Sequence, residues 1–374
     1  MSETAAIIYS PRHREHQPRI EVLYGRHTPH PERPERVEAI RTAITGSRWE
    51  HAVRGPSSFP IEIATSVHEP AYVAFLHEHA ALAAEDGLDG EWFPYTWPRD
   101  RGLDLGTPIS EHTVDVAWHS AECALTAAQV VRAGAPWSFS IGRPPGHHAS
   151  VGAHGGYCYF NHAALVAQSF LERSVSPSGA MGWAKRSVSP SGAVGWAKRS
   201  VSPSGAMGWS GEAESMRRTT DRVAILDLDI HHGNGTQDIF YASDRVYYAS
   251  IHGEPDWAYP PHSGFADETG TGAGEGATYN QPLPVGTGWR EYSHALDRAF
   301  DRLSKFDPSY LVVSQGFDTF AGDRWGGFEL HAPDYARIGE RLRAFGRPIV
   351  VILEGGYEPA NIAAGTMSLL DGLG

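Results

Sequence analysis

Short, continuous apolar runs punctuate this chain at Ser138–Gly142, Val223–Asp229, Val246–Ile251, Tyr310–Ser314 and Ile349–Leu353. They are rich in β-branched and aromatic residues, and they do not alternate between apolar and polar positions. Between or beside them lie segments with apolar residues at helical spacing: Glu35–Ile44, the long Ala-rich Thr113–Ala133, Ala163–Glu172, Tyr292–Lys305 and Tyr335–Phe345. Strands that are apolar on both sides, alternating with amphipathic helices, predict an α/β fold: a single domain with a central parallel sheet flanked by helices on both faces.

Each apolar run opens into a polar, Gly- or His-rich segment. Ser138–Gly142 leads into Arg143–His148, Val223–Leu228 into Asp229–Gly235, Val246–Ser250 into His252, Tyr310–Val313 into Gly316–Asp318, and Val350–Leu353 into Gly355–Tyr357. Open parallel sheets bind ligands outside the carboxyl ends of their strands. The five polar segments are therefore expected to converge on one site.

The residue types in these segments are those of metal-assisted hydrolysis. In Asp227-Leu228-Asp229-Ile230-His231, strand alternation would turn Asp227, Asp229 and His231 to one side. Such a row at an apolar strand end is costly without a partner, and a cation supplies one. Asp318, after the glycine turn of Ser314-Gln315-Gly316-Phe317-Asp318, completes a set of two aspartates and one histidine, donors that suit zinc. His147 and His148 follow the rigid Arg143-Pro144-Pro145-Gly146 turn. One can exchange a proton with an attacking water, and the other can stay cationic if a carboxylate such as Asp227 partners it. Tyr357, after two glycines, can bring its hydroxyl to an oxyanion. The chain contains neither G-x-S-x-G nor H-E-x-x-H. The glycine-rich Gly272–Ala277 follows a Pro-rich loop rather than a strand, so it reads as a loop.

Composition narrows the partners. The chain has 374 residues, 41% of them hydrophobic, and a formal net charge of −13. A negative surface repels nucleic acid and favours a cationic small substrate. Cys123 and Cys158 are the only cysteines, too few for a disulfide framework or a four-thiolate zinc site. The N-terminus has no signal-peptide pattern, and no apolar run is long enough for a membrane span, so the expected location is cytoplasmic. Residues 173–210 carry a tandem repeat in which RSVSPSGAMGWAK recurs with Val194 in place of Met181. Its Ser, Pro and Gly content predicts a surface loop insertion. The stretch 86–106, with Trp92, Pro94, Tyr95, Trp97 and Pro98, reads as a lid or subunit-contact insertion.

RPPGHHA at Arg143–Ala149, GGYCYFNHAA at Gly155–Ala164, DLDIHHGNGTQDIFY at Asp227–Tyr241, SIH at Ser250–His252, SQGFD at Ser314–Asp318 and EGGY at Glu354–Tyr357 together resemble the histone deacetylase superfamily. HHGNGTQDIFYAS, ADETGTGAGEG and EGGY are most similar to its bacterial acetylpolyamine amidohydrolases. The resemblance runs from His30 to the C-terminus, interrupted by the repeat. It implies the arginase–deacetylase fold and one catalytic zinc, with ferrous iron as the alternative, on Asp229, His231 and Asp318. It makes His148 the general base and acid, His147 with Asp227 its electrostatic partner, Asn234 the group orienting His148, and Tyr357 the oxyanion donor. It also implies structural potassium at Asp227, Ser250 and Ile251, with contributions from the Asp229 and His231 carbonyls, and a second potassium near Phe240, Ser243 and Val246. Substrate contacts fall on the Gly156 carbonyl, Tyr157 and, on the opposite wall near Tyr259–Phe265, His262. The implied substrate is a cationic acetylated polyamine of the acetylputrescine, acetylcadaverine or acetylspermidine type. A carboxylate among Glu91, Asp100 and Asp104 would read its ammonium, in a homodimer built through 86–106. The alternatives are a deacetylase of acetyl-lysine proteins or other small amides, and a non-catalytic metal-stabilised binding protein. The last would be expected to have lost a ligand, a histidine or Tyr357, and all are present.

Overall fold

Along the buried strands, successive side chains enter two separate apolar clusters. Val223 and Ile225 pack into one, Ala224 and Leu226 into the other. The strands are thus covered on both faces, with each fully buried Leu, Ile or Val contributing roughly 1.5–3 kcal/mol by its removal from water. The computed structural model describes residues 4–23, 25–86, 90–94, 101–172 and 221–374. The tandem repeat at 173–210 lies outside the described residues, as do 87–89 and 95–100 of the 86–106 insertion.

The central sheet has eight strands: β1 (Ala6–Ile8), β2 (Val53–Arg54), β3 (Trp137–Ser140), β4 (Val223–Asp227), β5 (Val246–Gly253), β6 (Thr278–Leu283), β7 (Tyr310–Gln315) and β8 (Ile349–Leu353). They lie in the order β6-β5-β4-β7-β8-β3-β1-β2, and every pairing is parallel. One face is covered by α2 (Pro70–Asp86), α3 (Thr113–Arg132) and α4 (His162–Leu171). The other is covered by α1 (Glu35–Ile44), α6 (Trp289–Phe306), α7 (Ala332–Ala344) and α8 (Pro359–Leu373). A short helix, α5 (Asn234–Phe240), follows the segment after β4. No described helix is long and apolar enough to cross a membrane.

The five strands and five helices read from periodicity are all present. The β4 ladder, however, ends at Asp227 rather than Asp229. Asp229 and His231 lie in the bend beyond it, where the backbone keeps single bonds from Leu228 N–H to Ser314 and from Gly253 N–H to the Ile230 carbonyl, both 2.8 Å. Strand alternation is therefore not what brings Asp227, Asp229 and His231 together. Strands β1, β2 and β6 were not foreseen: the first two are very short, and β6 is a sheet-edge strand that carries Pro282 after the polar Asn280 and Gln281. The described part of the insertion is tied to the body. Glu91–Trp92 pairs antiparallel with Ile109–Ser110, and Gly102 bridges to His154.

Two buried histidines outside the strand-end cluster are fixed as neutral tautomers. His68 donates through Nδ1 to the Ser150 carbonyl (2.8 Å) and accepts the Asn161 N–H at Nε2 (3.0 Å). His30 donates through Nε2 to the Gly106 carbonyl (2.8 Å) and accepts the Glu32 N–H at Nδ1 (3.1 Å). Burial lowers both from 6.5 to about 4, against the opposing pull of those carbonyls. Between these values the unfolded chain binds more protons than the folded one. Their contribution is therefore complete above pH 6.5 and is lost as the pH falls through about 4, on the order of 3 kcal/mol for each. The melting temperature is expected to fall steadily from pH 6.5 to 4; a value that does not move across that interval contradicts this assignment.

Candidate active site

Four strands adjacent in the sheet, β4-β7-β8-β3, deliver the polar segments. With neighbouring strands roughly 4.8 Å apart, their carboxyl ends fall within side-chain reach of a common point. Asp229 and His231 come from the segment after β4, Asp318 from that after β7, Tyr357 from that after β8, and the two histidines from the turn after β3.

His231 Nδ1 lies 3.1 Å from Asp229 Oδ1 and 3.2 Å from Asp318 Oδ2, and one ligand atom from each residue falls within 4.8 Å of the others. The remaining oxygen of each carboxylate is anchored to backbone: Gly355 N–H donates to Asp229 Oδ2 (2.7 Å) and Ile230 N–H to Asp318 Oδ1 (3.1 Å). The electrostatics call for a cation. Burial, followed by repulsion from Asp229, raises Asp318 to about 7. Burial disfavours a charge on His231, yet the two carboxylates outweigh it and raise the imidazole to about 10. Burial also opposes ionisation of Asp229, but His147 and His231 hold its carboxyl below the usual carboxylate range. Two buried carboxylates facing one imidazole nitrogen fit a divalent ion with three protein donors and open positions. A second group, His147, Cys158 and Glu354, has similar proximity but a different character. Burial raises the Cys158 thiol, and Glu354 is occupied by the N–H groups of Gly146 (2.7 Å) and His147 (3.2 Å) and the Ser314 hydroxyl (3.0 Å).

Two histidines beside the donor set differ in protonation. His147 Nδ1 pairs with Asp227 Oδ2 at 3.2 Å, and the Tyr248 hydroxyl donates to the same oxygen at 3.1 Å. Burial disfavours the imidazolium, but Asp227 and Asp229 overcome it and raise His147 to about 10. His148 stands 4.0 Å away, ring centre to ring centre, and donates from Nδ1 to Asn234 Oδ1 (2.7 Å), which leaves Nε2 with its lone pair. Burial and the neighbouring His147 cation hold it well below 6.5. A cationic and a neutral imidazole side by side provide charge stabilisation and a proton acceptor, respectively.

Tyr357 is buried, and Arg36 of α1 lies over its ring at 4.9 Å. Burial raises the phenol far above 10, against Arg36, so it is a neutral donor. The Tyr157 ring meets it edge-on at 5.8 Å. Tyr157 donates its hydroxyl to Glu21 Oε2 (2.7 Å), and the Gly156 carbonyl accepts the Cys158 thiol (3.3 Å). His262 is exposed; the aromatic ring from this segment that packs on His148 is Tyr259, edge-on at 5.0 Å. Tyr259, which the sequence did not single out, is therefore a residue of this segment placed against His148. Among the candidate ammonium readers, Asp104 is already taken up by Gly106 N–H, the Thr107 hydroxyl, Gly156 N–H and the Tyr259 hydroxyl. Glu91 accepts the Arg19 N–H at 2.7 Å, and Asp100 lies outside the described residues. Asp227 and Ser250 are paired in register across β4 and β5, with Ile251 next in β5. Phe240, Ser243 and Val246 flank the turn from α5 into β5, where Ser243 N–H donates to the Phe240 carbonyl (2.9 Å). Sequence reasoning missed Tyr248, Glu354's hold on the histidine turn, Arg36, Glu21 and Tyr259; EGGY pointed to the segment of Glu354, and the start of the resemblance at His30 to that of Arg36, without assigning them contacts.

The histone deacetylase domain family matches residues 30–176 and 212–373. The chain belongs to the histone deacetylase family. It is 35% identical to acetylpolyamine amidohydrolase 1 of Pseudomonas aeruginosa, with 98% of this chain and 97% of that protein aligned. It is 32% identical to the acetylpolyamine amidohydrolase of Mycoplana ramosa, across 98% and 99% of the two chains. The crystal structure of acetylpolyamine aminohydrolase from Burkholderia pseudomallei superposes with a TM-score of 0.80 at 32% identity, covering 99% of each chain. The architecture is accordingly the arginase–deacetylase fold, and the chain is a hydrolase of the deacetylase class.

The donor set depends on glycine at position 355. A Cβ there would press into Asp318 Oδ2 and come within 2.6 Å of Asp229 Oδ2. Gly355→Ala should therefore displace both carboxylates and lower kcat/KM by roughly 10²-fold or more, with far-UV circular dichroism unchanged. Turnover near that of the wild type would show that the site tolerates displaced carboxylates.

Proposed function

We propose that this protein is a zinc-dependent amidohydrolase that removes the acetyl group from acetylated polyamines, releasing acetate and the free amine. The observation that carries the chemistry is the juxtaposition of the Asp229–His231–Asp318 donor set with a cationic His147, a neutral His148 and a protonated Tyr357. A divalent ion on those three donors would supply Lewis acidity to the acetyl carbonyl and to the attacking water, as zinc or ferrous iron can.

The protein's own groups account for the proton and charge movements. His148 Nε2 takes a proton from the attacking water while Asn234 holds its Nδ1–H. The same imidazole then hands that proton to the departing amine nitrogen, so the C–N bond breaks to a neutral amine. Negative charge developing on the carbonyl oxygen meets the Tyr357 hydroxyl and the His147 imidazolium, the latter kept charged by Asp227. The Gly156 carbonyl accepts the amide N–H, and Tyr157 and Tyr259 flank the acyl-bearing chain.

Substrate class rests on different support. Relatives aligned over nearly the whole chain carry the acetylpolyamine name, and a chain of net charge −13 favours a cationic substrate. Structural potassium at Asp227, Ser250 and Ile251, and a second near Phe240, Ser243 and Val246, belongs to the same proposal, since a cation would offset the fully buried Asp227 carboxylate. A homodimer joined through 86–106 and a cytoplasmic location complete it.

Steady-state kinetics on zinc-loaded protein with N-acetylputrescine, N-acetylspermidine and an acetyl-lysine peptide distinguish the readings. The proposal predicts a kcat/KM for the acetylated polyamines at least about tenfold above the peptide, a difference of roughly 1.4 kcal/mol in transition-state stabilisation. A preference for the peptide overturns the substrate assignment while leaving the chemistry intact, and no turnover of any of the three overturns the enzyme.

A further inference from the structure

Tyr357 is joined to the donor set by two glycines, the second of them at φ 113°, and is followed after one residue by the proline that opens α8. A linker of this kind does not fix where the tyrosine sits. Gly355 N–H is tied to Asp229, two residues upstream, so the Cα of Tyr357 needs its own anchor if the hydroxyl is to hold a working position.

That anchor is Asp323, on the loop between β7 and α7. Its Oδ2 accepts the backbone N–H of Tyr357 at 2.6 Å and that of Glu358 at 3.2 Å, while Oδ1 accepts the N–H of Trp325 at 3.0 Å. The loop is itself braced at this residue: Asp323 N–H donates to the Phe320 carbonyl (3.2 Å) and Gly326 N–H to the Asp323 carbonyl (3.1 Å). The residue is 9% exposed. A carboxylate kept in such a place is costly unless fully hydrogen-bonded, and here all three partners are backbone N–H groups, two of them belonging to the Tyr357 turn and the start of α8. Glu358, the residue preceding α8, makes no side-chain cap of its own. Asp323 therefore supplies from another loop the acceptor that an N-cap side chain would otherwise provide.

We infer that Asp323 is a positioning residue for the reaction. By holding the Tyr357 and Glu358 N–H groups it fixes the backbone from which the Tyr357 phenol reaches the substrate oxyanion, while Arg36 fixes the ring. Its side-chain hydrogen bonds go to backbone N–H groups and not to the three metal donors. The inference rests on the proposed role of Tyr357 as oxyanion donor and adds to it a residue on a separate loop.

A double-mutant cycle tests it, with N-acetylputrescine as substrate, zinc content measured by elemental analysis, and Asp323→Ala and Asp323→Asn each made alone and with Tyr357→Phe. Misplacing a catalytic group by a fraction of an ångström to an ångström is worth about one to two orders of magnitude in rate. Asp323→Ala should lower kcat about tenfold or more, with KM changed less than about twofold and zinc content unchanged. Asp323→Asn, which keeps one carbonyl oxygen as acceptor, should fall between Ala and wild type, and it carries the cycle if the Ala variant does not fold. In the Tyr357→Phe background the same substitutions should change kcat by less than about twofold, because the group they position is gone. An equal loss in both backgrounds, or no loss in either, overturns the positioning role. Full activity of Tyr357→Phe alone is a separate outcome, which overturns the oxyanion assignment and this inference with it.

Discussion

Four carboxylates, Asp227, Asp229, Asp318 and Glu354, lie at the carboxyl edge of the sheet with 0% exposure. Leaving an ionised carboxylate unpaired in such surroundings costs several kcal/mol, so each must be matched by a cation or by N–H groups. The solution differs for each. Glu354 takes the N–H groups of Gly146 and His147, and Asp227 takes His147, Tyr248 and the Asp229 N–H. Asp229 and Asp318 each anchor one oxygen on the backbone and turn the other toward His231 Nδ1, that of Asp229 also accepting the His231 N–H. What backbone and histidine leave uncompensated is the charge a divalent ion would neutralise. The same compensation sets the protonation states: the carboxylates keep His147 charged against burial, and burial together with the His147 cation keeps His148 neutral.

A second buried charge cluster holds the first in place. Glu32 receives both Arg143 and Arg36 at the base of α1, and the two arginines keep its carboxyl well below the usual carboxylate range against the effect of burial. Arg143 opens the turn that carries His147 and His148 and also bonds the His13 and His16 carbonyls. Arg36 bonds the Glu354 and Gly356 carbonyls and lies over the Tyr357 ring. One buried glutamate on the N-terminal segment thus fixes both the histidine turn and the tyrosine turn. Segments far apart in sequence are therefore needed for the site to form at all.

Much of this was legible in the sequence, for a physical reason. Continuous apolar runs reported β3, β4, β5, β7 and β8 because strands buried on both faces admit little else, and polar residues at their ends stand out against that background. Side chains whose partners are backbone N–H groups left no comparable mark: nothing around Asp323 announces that it will cap a turn from the other side of the site. Which residue of an irregular loop faces a cavity depends on loop conformation, and here the loop leaves His262 exposed and turns Tyr259 onto His148. Helix α8 escaped notice because Gly365, Thr366 and Gly372 interrupt the apolar Ile362, Leu369, Leu370 and Leu373 on its buried face; the two glycines let α8 approach Phe317 and α7 closely.

The central claim is that Asp229, His231 and Asp318 are the protein's metal donors. Anomalous diffraction at the zinc edge from zinc-loaded crystals tests it most directly. The account predicts one strong peak about 2.0–2.2 Å from His231 Nδ1 and from a carboxylate oxygen of each aspartate. A zinc peak elsewhere, or none at these three residues in an enzyme that turns over, would contradict it.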